Sequence, residues 1–177
     1  MSAGVGTIYQ AKKANSLANP ITNAVPFNSV DDATVAAAVY FPEVKGTVCQ
    51  AFRVRARGRS TAGTSGNFAC SLQFGNSISA ATNTVVCAPT TATNATKCNW
   101  FIEATFIWDA STLSLNNFYL ANNASTPALI SLVEGTAATS VNLATPSSSN
   151  AIVAAALFGT SNAGNIAYLD SLTLEVL

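Results

Sequence analysis

The densest run of charge in the sequence is a set of arginines spaced two residues apart. Half of the chain's eight basic residues lie in it, namely Arg53, Arg55, Arg57 and Arg59. If the residues between them face a core, these side chains project together from the opposite face of a strand. Guanidinium groups donate paired hydrogen bonds to carboxylates and phosphates, so this arginine ridge is a candidate contact surface for an acidic partner. The alternative is a solvated outer face that discourages pairing between sheet edges.

The residue types that many enzymes use are missing or scattered. The chain has no histidine, which removes the usual base for a serine or cysteine nucleophile. Its eight carboxylates are spread along the sequence. A pair such as Glu103 and Asp109 acting on a glycosidic bond is conceivable, but ordinary outward-facing strand residues are the simpler interpretation. We therefore expect no enzymatic activity, no catalytic residue and no cofactor.

Four cysteines are present, and none of them forms a C-x-x-C pair. Because histidine is absent, the usual zinc-ligand sets are unavailable, and we expect no metal site. Cys70 falls in the apolar phase of an alternating segment and is interpreted as a small buried hydrophobic residue. Cys87 and Cys98 flank a loop rich in Thr and Asn and could bridge it as a disulfide, although a cytoplasmic origin argues against such a bond.

Aromatic residues offer a second kind of candidate site. Four of them could form a sugar-stacking platform on a lectin-like sandwich: Trp100, Trp108, Tyr119 and Tyr168. Both tryptophans, however, share the apolar phase of their segment with Ile102 and Phe106. This shared phase favours packing in the core over display to a ligand.

From about residue 33 onward, apolar and polar residues alternate with a period of two. The pattern is clearest over residues 68–74, 100–109 and 166–176, and clusters of Gly, Asn and Pro separate such segments. It predicts an all-β fold, an antiparallel β-sandwich over residues 31–177, with residues 31–38 as the best candidate for a short helical turn. The predicted core residues include Phe68, Leu72, Phe74, Trp100, Ile102, Phe106, Leu172 and Leu174.

The first thirty residues differ in character, because Pro20 and Pro26 lie among asparagines there. Proline cannot donate a ladder hydrogen bond and favours extended geometry in the residue before it. We interpret residues 1–30 as an extended N-terminal arm with a short strand at 7–10, and residues 31–177 as a single domain. An arm that does not order by itself can add a strand to a neighbouring sheet, so Pro20, Pro26 and Phe27 are candidate partner contacts. The alternative is a frayed terminus.

The composition limits the partners. The formal net charge is zero, which gives little attraction toward nucleic acid or anionic membranes. No segment has the roughly eighteen continuous apolar residues of a membrane helix, and no signal peptide is visible, so synthesis in the cytoplasm is expected. A neutral surface rich in Ser, Thr, Asn and Ala suits a protein whose faces are covered by neighbours, and predicts self-association.

The alternating segments resemble the jelly-roll-like proteins of tailed-bacteriophage virions. Residues 52–58, 68–75, 99–104 and 168–176 carry the likeness. Within that group, the size, the neutral composition and the single domain are similar to capsid cement, or decoration, proteins. The resemblance implies a non-enzymatic protein on the capsid exterior that stabilises a lattice of major capsid protein and associates with itself as a homotrimer. The arginine ridge and the arm would then be its contacts.

Two other functions remain open. One is a carbohydrate-binding β-sandwich from a phage tail or a secreted lectin, which predicts an exposed aromatic cluster on loops. The other is a small structural protein that forms the shell itself. A fold shared among such modules does not by itself decide between them.

Overall fold

The computed structural model describes residues 7–12, 16–18, 25–41, 50–61, 68–79, 82–87, 97–109, 112–123, 129–134, 141–142 and 150–177. Within these ranges no helix is long and apolar enough to cross a membrane. The strands are β1 (Thr7–Lys12), β2 (Leu17–Ala18), β3 (Val25–Pro26), β4 (Ala38–Tyr40), β5 (Gln50–Thr61), β6 (Phe68–Phe74), β7 (Thr84–Cys87), β8 (Lys97–Asp109), β9 (Thr112–Asn123), β10 (Leu129–Glu134), β11 (Val141–Asn142), β12 (Ala151–Phe158) and β13 (Ile166–Val176). The predicted all-β class is confirmed.

The strands pair in two antiparallel sheets. The larger sheet has the order β1-β13-β5-β8-β9-β10, with β2 beside β13 and β11 beside β9. The smaller sheet has the order β3-β12-β6-β7, with β4 also paired to β12. Strands β5 and β8 pair without a register shift from Gln50 opposite Trp108 to Thr61 opposite Lys97. This unbroken ladder forms the centre of the larger sheet.

The inward faces of the two sheets meet in one hydrophobic core. The larger sheet contributes Phe52, Val54, Trp100, Ile102, Leu172 and Leu174, and the smaller sheet contributes Phe68, Cys70, Leu72, Ile152 and Phe158. Burying each large apolar side chain stabilises the fold by about 1.5–3 kcal/mol. The antiparallel β-sandwich predicted from the alternation is therefore confirmed.

The predicted core residues agree well with this arrangement. Six of them are buried, namely Phe68, Leu72, Trp100, Ile102, Leu172 and Leu174. Phe74 is half-buried and packs against the same cluster. The side chain of Phe106 lies outside the described residues. Cys70 is buried in the core, as its position in the apolar phase predicted.

The described parts of the first thirty residues belong to the sandwich and do not form a separate arm. Strand β1, which includes the predicted strand at 7–10, pairs with β13 at the edge of the larger sheet. Strand β2 also pairs with β13, and β3 pairs with β12. A bridge between Asn28 and Ala36 crosses the predicted domain boundary at residue 30. Residues on both sides of that boundary therefore share the same two sheets.

Two of the predicted partner contacts, Pro26 and Phe27, are buried in the folded chain. The side chain of Phe27 is 0% exposed, and its ring stacks on that of Trp100 with centroids 6.2 Å apart. Pro26 is buried in β3, opposite Ala155. Because burial of an aromatic ring stabilises the fold, Phe27 is held inside the sandwich. In the folded chain Pro26 and Phe27 are therefore buried residues, and their contact with a partner stays a prediction; Pro20 lies outside the described residues.

Residues 31–38 form a turn and the approach to β4 where a helical turn was predicted. The carboxylate of Asp32 accepts hydrogen bonds from the hydroxyl of Thr34 at 2.7 Å and from its backbone N–H at 2.8 Å. These hydrogen bonds lower the pKa of Asp32, the hydroxyl being the larger cause. These hydrogen bonds close a turn at Asp32, and the alanines after it pair in sheet geometry, Ala36 with Asn28 and Ala38 with Val153.

Candidate functional site

The arginine ridge lies on the outer face of the larger sheet. On β5, Phe52, Val54 and Ala56 are buried against the core, so the alternate side chains of that strand point away from it. The neighbouring strands β8 and β13 add their own outward residues on either side. The ridge divides into two halves whose surroundings differ.

In the first half, two arginines form ion pairs with two glutamates of the same sheet. Arg55 donates from Nε to Glu103 at 2.6 Å and from Nη1 to Glu175 at 2.8 Å. Arg53 donates from Nη1 to Glu175 at 3.4 Å, and its Nε lies 3.6 Å from Glu103. The strand register produces these pairs, because Glu103 lies opposite Arg55 on β8 and Glu175 lies opposite Arg53 on β13. The hydrogen bond to Glu103 is the main reason that the pKa of Arg55 is raised.

In the second half, Arg59 is held by one carboxylate and one aromatic ring. It donates from Nε and Nη2 to the two oxygens of Asp170, at 3.0 and 2.9 Å. Its guanidinium carbon lies 5.0 Å from the centre of the Tyr168 ring. The hydrogen bond to Asp170 is the main cause of a raised pKa for Arg59. The pairing of β13 with β5 shifts register between Leu169 and Ser171, which leaves Asp170 as the extra residue of a bulge.

Beside these residues an open groove runs along the boundary between β5 and β8. Its larger part has a volume of about 400 Å³ and is lined by Arg57, Gly58, Arg59, Asn99, Trp100, Phe101 and Asp170. An adjoining part of about 260 Å³ is lined by Arg59, Ser60, Thr61, Lys97, Cys98, Asn99 and Tyr168. The two parts share Arg59 and Asn99, and we call them together the outer groove.

The backbone at Gly58, between Arg57 and Arg59 in the groove lining, has no room for a side chain. A Cβ atom at this position would collide with the carbonyl oxygen of Tyr168 and would lie 2.5 Å from Cζ2 of Trp100. The indole of Trp100 therefore packs directly across the backbone of Gly58 on the core side. Two residues earlier, Ala56 occupies the equivalent inward position with its side chain buried.

Sequence reasoning missed Phe101 as part of this site. The signal was present, because Phe101 has the opposite phase to Trp100 and so had to face outward if Trp100 faced the core. Trp100 is 2% exposed, which confirms its predicted core role. Tyr168, one of the four candidate sugar-stacking residues, is half-buried and borders the outer groove. The side chains of Trp108 and Tyr119 lie outside the described residues.

The carboxylate pair considered for glycosidic chemistry occupies widely spaced backbone positions on one strand. Glu103 and Asp109 lie six residues apart on β8, whose pairing with β5 has no irregularity between them. At about 3.3 Å per residue their backbone positions are about 20 Å apart, and the side chain of Asp109 lies outside the described residues. Glu103 is also engaged by arginines. Among the described residues, no group of three or more His, Cys, Asp or Glu side chains is placed to hold a metal ion.

Cys98 is a buried thiol at the start of β8, and its Sγ lies 3.2 Å from the carbonyl oxygen of Asn99. The side chain of Cys87, its predicted disulfide partner, lies outside the described residues. The disulfide between Cys87 and Cys98 therefore stays a prediction.

No protein-family model matches the chain, and no curated protein matches it. Among solved structures, the chain is similar to the CBM2 module of the evolved Dit of Lactobacillus casei BL23 phage J-1, with 10% sequence identity and a TM-score of 0.32. The alignment covers 94% of this chain and 96% of that one. A likeness this distant carries no argument about a shared site or ligand.

Proposed function

We propose that the chain is a non-enzymatic structural module of a phage particle that binds carbohydrate in the outer groove. The virion setting rests on the sequence resemblance described above. The observation that carries the binding function is the groove itself, where aromatic and hydrogen-bonding side chains line one open surface. Its larger part, of about 400 Å³, lies within the range of roughly 300–1,000 Å³ found for ligand sites.

The chemistry of the lining suits a sugar polymer. Sugar rings present an apolar face of C–H groups, which packs on aromatic rings such as those of Phe101 and Tyr168. Their hydroxyl groups exchange hydrogen bonds with amides, guanidinium groups and carboxylates, which Asn99, Arg59 and Asp170 supply here. Because the groove lies on paired strands of the larger sheet, these groups are already positioned before a ligand arrives. An open groove also lets a long chain pass through, which a closed pocket would prevent.

The test is binding of the full chain to a panel of soluble acidic and neutral polysaccharides, measured by affinity electrophoresis. We expect at least one polysaccharide to retard the wild-type protein and the double variant Phe101→Ala, Tyr168→Ala to lose that retardation. Ile107→Ala is the matched control, because Ile107 is 39% exposed on the same strand and lies outside the groove lining. Thermal unfolding shows whether each variant is folded. If no polysaccharide retards the wild-type protein, the carbohydrate-binding function is wrong.

A second candidate function is the capsid cement role, with the protein on the capsid exterior, bound to major capsid protein and to itself as a homotrimer. One observation favours contact with another chain: in the described part of the smaller sheet, β7 pairs only with β6. Its Val85 is 47% exposed, and Ile78 in the preceding turn is 42% exposed. An open strand edge with apolar side chains can accept a strand from a neighbouring subunit.

The cement role is tested on particles rather than on polysaccharides. A cement protein co-purifies with intact particles at a copy number comparable to that of the major shell protein, and sedimentation velocity of the isolated protein at micromolar concentration shows trimers. A copy number of only a few per particle would contradict this role. Deletion of residues 1–30 is not a suitable test, because it would remove Phe27 from the core and β1 from its sheet.

A further inference from the structure

Arg57, at one end of the outer groove, differs in its partners from the other three arginines of the ridge. Arg53, Arg55 and Arg59 each form an ion pair with a carboxylate of the same sheet. Arg57 donates from Nε to the hydroxyl of Ser171 at 3.0 Å and, among the described residues, lies in no ion pair. Its positive charge is therefore not balanced by a neighbouring carboxylate of the described chain.

A second positively charged side chain without an ion pair among the described residues lies at the other end of the groove. Lys97 is exposed, lines the smaller part of the groove and has no ion pair within the described ranges. The register places Arg57 opposite Phe101 and Thr61 opposite Lys97, so the backbone positions of Arg57 and Lys97 are four residues, or about 13 Å, apart along the strands. Between them, the charge of Arg59 is balanced by Asp170.

We infer that the ligand of the outer groove is an anionic polysaccharide, bound through its carboxylate or phosphate groups by Arg57 with support from Lys97. This inference rests on the proposed carbohydrate-binding function and adds the charge class of the ligand. The Nη1 and Nη2 groups of Arg57 form a planar fork that matches two oxygens of a carboxylate or phosphate. Two positive residues about 13 Å apart along the strands suit a polymer that carries acidic groups at intervals, rather than one small anion.

Nucleic acid is the other polyanion that could use arginines beside aromatic rings. The charge of this chain argues against it, because the formal net charge is zero and backbone binding to nucleic acid recruits many more basic residues. A single-stranded oligonucleotide therefore belongs in the experiment as a competing ligand.

The experiment compares two forms of one polymer, polygalacturonate and the same material with its carboxyl groups methyl-esterified. Poly(glycerol phosphate) distinguishes phosphate from carboxylate as the preferred anion. We expect the full-length protein to bind an acidic polymer at least tenfold more tightly than the esterified one, and Arg57→Gln to lose about tenfold of that affinity. Arg57→Lys keeps the positive charge but lacks the planar pair of donor groups, so its affinity for the acidic polymer should lie between that of the wild type and that of Arg57→Gln. Arg55→Gln removes the same charge outside the groove and should leave the affinity unchanged.

The outcomes separate this inference from the function on which it rests. Equal binding of the acidic and esterified polymers would show a neutral-sugar site, which overturns the inference and leaves the carbohydrate function in place. Equal losses for Arg57→Gln and Arg55→Gln would show a general charge effect and would also overturn it. Binding of the oligonucleotide in preference to every polysaccharide would overturn both, as would the absence of binding to any polymer.

Discussion

The two halves of the arginine ridge share one strand, one spacing and one face, yet their partners differ. Arg53 and Arg55 are held by Glu103 and Glu175, and Glu175 has only 10% of its side chain exposed. Arg57 and Arg59 are exposed and line a groove. Arginines at every second position of a strand therefore do not form one uniform surface. The residues of the neighbouring strands decide which of the arginines has a carboxylate partner.

The largest effect on stability is expected from Gly58→Ala, between the two arginines of the groove half. The new Cβ would collide with the carbonyl oxygen of Tyr168 and the Trp100 ring, and overpacking of this kind costs about 1–3 kcal/mol or more. Urea unfolding measures the change, with Ala56→Gly on the same strand face as the control for altering a small inward residue. A variant as stable as the wild type would show that Trp100 does not pack across Gly58.

A smaller loss of stability is expected from Glu175→Gln in the ion-paired half. The substitution removes the negative charge of the group that accepts hydrogen bonds from Arg53 and Arg55. Hydrogen bonds to a charged group contribute about 1.5–3 kcal/mol, of which the amide oxygen of Gln keeps a part. Polysaccharide binding should be unchanged, because Glu175 does not line the groove. Thr173→Ala, on the same face of β13, is the control. A loss of binding without a loss of stability would reverse the roles of the two halves.

The smallest effect on stability is expected from Asp170→Asn in the groove half. The ion pair with Arg59 is exposed and screened by solvent, so the unfolding midpoint should stay within error of the wild type. Affinity for an acidic polymer should instead rise, since the variant removes a negative charge from the groove lining. Titration calorimetry beside a thermal melt measures both quantities. A stability loss equal to that of Glu175→Gln would show that the halves do not differ.

Much of the fold could be predicted because a period of two is a local property. The inward residues of β6, β8 and β13 follow from their own segments, and so does the outward position of Phe101. The role of Phe27 could not be predicted in the same way. It follows a two-residue strand, which is too short to show alternation, and the nearby prolines indicated an extended arm.

The ion pairs of the arginine ridge could not be predicted from the sequence of β5 by itself. Whether an arginine of β5 is balanced depends on which residues of β8 and β13 lie opposite it, and the register of distant strands is set by packing of the whole sandwich. The bulge that brings Asp170 to Arg59 is a further one-residue shift in that register. In the sequence the four arginines of the ridge are equivalent. In the folded sheet only Arg57 lacks a carboxylate partner among the described residues.

The position of β5 between β8 and β13 has a consequence for how the protein folds. Arg53 and Glu175 meet although they are 122 positions apart in the sequence, so one side of β5 has no partner until β13 has been synthesised. Sheets dominated by such distant pairings fold slowly, in milliseconds to seconds, because a large loop must close before its contacts form. During that interval the edge of β5 and its apolar face are open to other chains. Refolding yield should therefore fall as protein concentration rises, even though the finished sandwich keeps that strand in the middle of its larger sheet.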